Sequence, residues 1–163
     1  MPDLERLRAD HDPAVLAFEQ ENRTYFTASV PDRGDDYFTH FEARHRHLLA
    51  EQAAGLHHFH VIVGSQGEVL GRINLVDVAD GSAELGFRIA ERAAGQGLAT
   101  TAVRQTCALA ATVYKLTALR AMTTRDNTGS RAVLARTGFV YAGEVQLDGQ
   151  AGLHFERDLG DLQ

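Results

Sequence analysis

The sequence is poor in cysteine: Cys107 is the only one. No disulfide can close within the chain, and a reducing compartment is the simpler setting. No stretch approaches the roughly 18 apolar residues of a membrane span. The opening residues Met1-Pro2-Asp3-Leu4-Glu5 are acidic and carry no apolar run, unlike a secretory leader. A cytoplasmic protein is therefore expected. Positive charge is also short, with 16 Lys and Arg against 22 Asp and Glu and a net charge of −6. That disfavours nucleic acid as a direct partner, because phosphate binding wants a basic surface. It is compatible with steering of a cationic substrate such as an amine, and equally with solubility alone. What is present is globular: 44% hydrophobic and 23% charged residues in 163. This is enough for one domain, 1–163, whose core needs neither disulfide nor metal to hold it.

The most informative stretch runs from Glu84 to Thr117 and reads as strand, glycine turn and long helix. The strand is Glu84-Leu85-Gly86-Phe87-Arg88-Ile89, the turn is Arg92-Ala93-Ala94-Gly95-Gln96-Gly97, and the helix starts at about Leu98. Glycines at 95 and 97 permit positive φ and close approach of a ligand. The unpartnered N–H groups and positive dipole end of the following helix suit a phosphate or pyrophosphate. Two familiar phosphate loops are excluded. Leu98, Ala99 and Thr100 follow Gly97, so the third glycine of the dinucleotide fingerprint is missing, and no Lys follows either glycine as a P-loop requires. An ordinary strand-to-helix turn fits the two glycines equally well, and the rest of the chain decides.

Leu4 to Arg8 reads as a first strand, and Asp10 or Asp12 is expected to cap a helix beginning at Pro13. Thr24 to Val30 is rich in aromatic and β-branched residues and ends at Pro31. A second helix is predicted from Asp35 or Asp36 to about Ala53, stopped by Gly55. The period then changes to alternation. Phe59, Val61 and Val63, then Val69, Gly71, Ile73 and Leu75, then Ala83 to Ile89 form three strands joined by short glycine turns, an antiparallel meander. Leu98, Ala102, Thr106, Leu109, Val113 and Leu116 recur at helical steps. Leu119 to Thr124 follows as a strand, so the unit is β-α-β with a parallel pair. Asp126-Asn127 caps a short helix from Thr128 to Arg136 that ends at Gly138. A hairpin closes the chain, Phe139 to Leu147 and Leu153 to Leu159 about Asp148-Gly149.

Arg92-x-x-Gly95-x-Gly97 between strand and helix, followed at the expected distance by Asn127-x-x-Ser130 with Leu134 and Gly138-Phe139, resembles the two cofactor motifs of the GNAT N-acetyltransferase superfamily. The element order matches that fold along nearly the whole chain. The run Ala17-Phe18-Glu19-Gln20-Glu21-Asn22-Arg23-Thr24-Tyr25-Phe26 and the strand Glu84 to Phe87 look like the branch that acetylates ribosomal-protein N-termini, the RimJ/RimL type. The resemblance implies an α/β fold: a mixed, mostly antiparallel sheet of about seven strands with a parallel β-α-β core, flanked by about four helices. It implies acetyl-CoA as acyl donor and no metal. The partner is an amine acceptor, a protein N-terminus or a small molecule, with neither nucleic acid nor membrane, and a homodimer is allowed. Two departures stand out: Gln96 lies between the loop glycines where many relatives carry Arg or Lys, and Ala93 and Ala94 stand where an aromatic is usual.

The same resemblance implies residue roles. Phe87, Arg88 and Ile89 would pair their backbone with the pantetheine arm, as an added strand does. The loop Arg92, Gly95, Gln96, Gly97, Leu98, Ala99 and Thr100 would hold the pyrophosphate, and Asn127 would bind cofactor or cap its helix. Amine attack on a thioester needs a base, a donor for the developing oxyanion and an acid for the thiolate. Glu84 is the candidate base, directly or through a water, and a backbone N–H at Phe87 or Ile89 the oxyanion donor. The Tyr that many members use as acid falls at Leu134, so Ser130 is the candidate acid, with Tyr141 behind it. Each also has a plainer reading: a solvated carboxylate for Glu84, a first-turn residue for Ser130, a core ring for Tyr141. Glu19, Asn22, Arg23, Phe26, Tyr37 and Phe38 are placed near the acceptor pocket or, failing that, in first-helix packing. Cys107 reads as a buried inert thiol rather than an acyl carrier. His58 and His60 share a strand face without a third ligand, so packing is preferred to metal. The leading function is acetyl transfer in a ternary complex. The alternatives are a non-catalytic acyl-CoA-binding or sensing module on the same fold and, third, a nucleotide-binding domain.

Overall fold

The computed structural model describes residues 2–163. Seven strands form one sheet: β1 Asp3–Arg6, β2 His58–Val63, β3 Val69–Ala79, β4 Ser82–Ile89, β5 Ala118–Thr124, β6 Val140–Leu147 and β7 Gln150–Asp158. Their order is β1-β2-β3-β4-β5-β7-β6, and only β4 and β5 are parallel. The helices are α1 Asp12–Glu21, α2 Arg23–Phe26, α3 Asp35–Thr39, α4 Phe41–Ala53, α5 Leu98–Thr112 and α6 Thr128–Arg136.

The expected four flanking helices become six because both N-terminal helices are interrupted. The first breaks at Asn22, whose side-chain amide donates to the Phe18 carbonyl at 2.9 Å and competes with the helical backbone. The second breaks at His40, between Thr39 and Phe41. The cap of α1 also differs from expectation. A 3-10 turn, Ala9–His11, feeds the helix, His11 holds the N-cap position, and neither Asp10 nor Asp12 caps it through its side chain.

The meander follows from its alternation and turns. Gly71 shows how tightly it packs: a Cβ there would lie 2.9 Å from the Arg88 carbonyl and 2.8 Å from Ile89 Cδ1. Helix α5 covers the sheet face of Ile73, Leu75 and Leu85. Its buried stripe is Ala102, Val103, Thr106, Cys107, Ala110 and Ala111, small side chains that let the helix sit close. Val113, expected on that stripe, is exposed past the helix end. Helix α1 covers the opposite face, with Val15 and Phe18 buried. Strand β6 is an edge, its pairing with β7 shifts between Tyr141 and Gly143, and Val140 and Tyr141 are exposed there.

Candidate active site

The site starts where two parallel strands part. β4 and β5 pair from Ser82↔Ala118 to Leu85↔Ala121 and no further. β5 continues on β7 to Thr124↔Gly152, while β4 continues on β3 to Ile89↔Gly71. From Gly86 onward, the β5-facing backbone groups of β4 have no strand partner. A backbone with open N–H and C=O groups is a template for an extended ligand.

A cleft of about 450 Å³ lies along this gap. Its walls are Phe87, Arg88 and Ile89 of β4, the loop from Ala93 to Gly97, the first turn of α5 and the start of α6. Gly97 is the N-cap of α5 at φ 77°, ψ 5°, the left-handed region that a side chain disfavours. No side chain caps this helix, so its first N–H groups are open toward the cleft end. Leu98, Ala99 and Thr100 are half-buried and line the same wall. Arg92 and Gln96 are exposed and are not among the lining residues. Gln96 Nε2 donates to the Arg92 backbone carbonyl at 3.4 Å, so the Gln96 side chain turns back along the loop rather than into the cleft.

A second cleft, about 310 Å³, opens on the α1 side of β4. The two share Ser29, Val30, Phe87, Arg88, Asn127 and Ser130. Ser130 and Asn127 therefore stand at the seam between them. Asn127 caps α6, its Oδ1 accepting from the Ser130 N–H at 3.1 Å, which fixes both residues at the mouth.

Glu84 lies two residues before Gly86 on the same face of β4, roughly 7 Å along the strand. It lines neither cleft. Burial pushes its carboxyl above the ordinary carboxylate value; Arg120, its register partner on β5, opposes this, and Asp77 adds to it. Tyr141 is 54% exposed on the edge strand and lines neither cleft. Leu134, at the position of the usual acid tyrosine, is buried and lines the second cleft. Cys107 is buried inside α5, its thiol pushed up to about 11 by desolvation. His58 stacks on Tyr114 at 3.8 Å, and His60 bridges the Ile73 carbonyl and the Tyr114 hydroxyl at 3.1 and 2.6 Å. Among the described residues, no three His, Cys, Asp or Glu side chains cluster as a metal site would.

Sequence reasoning named Glu19, Arg88 and Tyr37 separately but neither Arg33 nor Arg72, and not the cluster they form. Glu19 is 2% exposed and receives three guanidiniums: Arg72 Nη1 at 2.9 Å, Arg33 Nε at 3.1 Å and Arg88 Nη1 at 3.2 Å. Burial works to raise its pKa, but Arg72, Arg33 and Arg88 outweigh it and hold the carboxyl below the usual range. The Tyr37 hydroxyl also accepts from Arg72, at 3.3 Å. Phe26 packs under Arg88 at 4.9 Å. Arg23 ties Asp32 and Asp35 at 2.8 and 2.9 Å and lies over Phe38, shaping the loop at the cleft lip. Asn22 joins the two sides, its Oδ1 accepting from the Glu91 N–H at 3.0 Å. No sequence spacing signals Arg33 or Arg72, since the partners of Glu19 are 14 and 53 residues away.

A sheet that opens at its parallel pair, with an uncapped helix N-terminus at the end of the gap, is the architecture of an acyl-CoA-dependent acetyltransferase. Residues 3–140 match the acetyltransferase (GNAT) domain family, and the chain belongs to that family. It is 29% identical over 132 residues to a probable N-acetyltransferase of Bacillus subtilis strain 168, YjcK, a match covering 76% of this chain and 72% of the relative. It is similar to the solved RimJ of Mycobacterium smegmatis in complex with CoA-disulfide, with a TM-score of 0.87, 25% identity, and coverage of 98% and 82%. The fold also matches the ribosomal-protein-S5-alanine acetyltransferase of Vibrio fischeri, with a TM-score of 0.92, 17% identity, and coverage of 98% and 94%.

Proposed function

We propose that this chain transfers an acetyl group from acetyl-CoA to a primary amine by direct attack in a ternary complex. The acceptor is first of all the α-amine of a polypeptide N-terminus. The observation that carries the reading is the parting of β4 from β5 beyond Leu85↔Ala121, with the Gly97-capped N-terminus of α5 closing the same cleft. The similarity to RimJ, solved with a CoA-disulfide, supports a CoA ester as acyl donor. The run Ala17 to Phe26 and the strand Glu84 to Phe87 support an N-terminal amine.

In this reading, the backbone of Phe87, Arg88 and Ile89 holds the pantetheine arm. The N–H groups of the loop from Arg92 to Thr100 hold the pyrophosphate. The thioester carbon then lies at the seam that Asn127 and Ser130 share with the acceptor cleft. A backbone N–H at Phe87 or Ile89 donates to the carbonyl oxygen as negative charge develops on it. The amine nitrogen bonds to the acetyl carbon and the carbon–sulfur bond breaks. The amine loses one proton toward Glu84, and Ser130 supplies one to the departing sulfur. Because Glu84 stands one side-chain pair along the strand from Gly86, its proton transfer runs through a water. The raised carboxyl pKa suits a base of this kind.

The test is CoA thiol release with a panel of N-terminal peptides and small amines, with mass spectrometry of the acceptor. Acetylated amine with stoichiometric thiol is expected. Tight CoA binding with no transfer across a wide pH range would assign the chain to the non-catalytic acyl-CoA-binding module instead.

A further inference from the structure

The acceptor side carries charge of the sign opposite to the whole protein. Arg33, Arg72 and Arg88 line the acceptor cleft, and Asp148 is its only acidic lining residue. Behind them stands Glu19 alone. Its two oxygens serve three guanidiniums, and each guanidinium carries several N–H donors, so most of those donors find no acceptor on Glu19 or Tyr37. Burial pushes Arg88 below its usual value, and the neighbouring Arg33 adds to this.

The positive surface continues. A further cleft of about 550 Å³ meets the first at Arg33, Arg72 and Asn74 and adds Arg44 and His47, with no Asp or Glu in its lining. Arg33 and Arg44 lie over the Tyr37 ring at 4.5 and 5.3 Å, which fixes their guanidiniums along the passage. Two buried acceptor atoms on this path have no hydrogen-bond partner: Asn74 Oδ1 and His45 Nδ1. Asn74 stands opposite Gly86 in the β3–β4 register, beside the seam. A buried carbonyl oxygen left unpaired is costly, and an incoming N–H relieves it.

We propose that the acceptor is an amine flanked by a carboxylate, in the form of an acidic polypeptide N-terminus. Its α-amine is received by Asn74 Oδ1 beside Gly86, and an Asp or Glu side chain in the next two or three residues is bound by Arg33, Arg72 and Arg88. This rests on the amine-acetylation reading and narrows its acceptor. The joined clefts, about 310 and 550 Å³, have room beyond a free amino acid and favour a peptide. The excess of guanidinium excludes polyamines, although the net charge of −6 would by itself attract them.

The test uses the full chain in two measurements. The first is calorimetric binding of short peptides in the presence of CoA; the second is turnover of the same peptides with acetyl-CoA. The probes are a peptide with Glu at its second and third positions, its Gln counterpart, free glutamate and spermidine. An acidic peptide preferred over the Gln peptide by about tenfold, with the preference shrinking as salt is raised, is the expected result. Arg33→Gln, at the most exposed of the three arginines, should bring the ratio down toward one with a smaller loss of stability than loss of Glu19 would cause. Equal binding of the two peptides, or preference for spermidine, overturns the proposal. Preference for free glutamate over the peptide overturns the polypeptide assignment. Should the acidic peptide bind selectively yet no probe be acetylated, acetyl transfer to this acceptor fails while the acidic-peptide site stands. Binding of none of the four probes overturns it.

Discussion

Along the proposed cofactor cleft, the wall is the β4 backbone from Phe87 to Ile89, the loop residues Ala93, Ala94, Gly95 and Gly97, and Leu98 to Thr100 on α5, joined by the rings of Tyr25 and Phe26. Along the proposed acceptor cleft, long charged side chains converge from β3, β4 and the loop before α3 onto Glu19 of α1. The first surface is fixed by backbone conformation and changes little when an exposed side chain such as Gln96 is exchanged. The second is a balance of buried charges, in which each member holds the others in place. Backbone-built sites tolerate variation in side chains; charge-built sites do not, and so carry specificity.

The contrast is broken most severely at Glu19. Glu19→Ala leaves Arg72 buried without its carboxylate and should cost about 3–5 kcal/mol of stability in urea unfolding. A loss under about 1 kcal/mol would mean that water reaches Arg72 and that the cluster is not a closed unit. Glu84→Gln comes next, with turnover down about a hundredfold and CoA affinity unchanged. The pH dependence carries a sign. A carboxyl whose folded pKa is raised favours the fold below its ordinary value and loses that contribution as pH rises through the raised value. Glu84→Gln should therefore be no less stable than the parent at neutral pH, and the acidic fall in activity of the parent should disappear. Turnover equal to the parent removes Glu84 from the base role. Gly97→Val tests the other side of the comparison. Left-handed backbone penalises a β-branched residue by about 1–2 kcal/mol, and CoA should bind at least about tenfold more weakly by titration, with acidic-peptide binding unaffected. The smallest effect is expected at Asn127→Ala, about 1 kcal/mol from loss of the α6 cap, read as a lower melting temperature.

The same difference in construction explains what was legible in the sequence. Gly95, Gly97, Asn127 and Ser130 act through local conformation, so their spacing is their structure, and the loop, the α5 start and the α6 cap all fall where the spacing indicates. The meander and β-α-β unit were legible for the same reason, being written in alternation and turns. Asn22, assigned to the acceptor pocket or to first-helix packing, instead ends that helix, its amide bonding the Phe18 carbonyl. Val113 kept helical spacing yet lies beyond the end of α5. The arginine cluster around Glu19 was invisible as a cluster. Arg33, Arg72 and Arg88 are separated by strands and loops and meet only because β3 pairs with β4 and α1 packs across both. Net charge pointed the other way, since a sum over the chain says nothing of where buried arginines gather.

The irregularity in β6 bears on behaviour at high concentration. An edge strand with Val140 and Tyr141 facing solvent would ordinarily invite a neighbouring molecule to extend the sheet, and then another. The shift between Tyr141 and Gly143, with Gly143 at φ 144°, interrupts the even spacing that such growth requires. An incoming strand can match the ladder on one side of the kink or the other, not across it. The margin of the sheet is thereby blunted against fibre-like stacking while its apolar side chains stay in water.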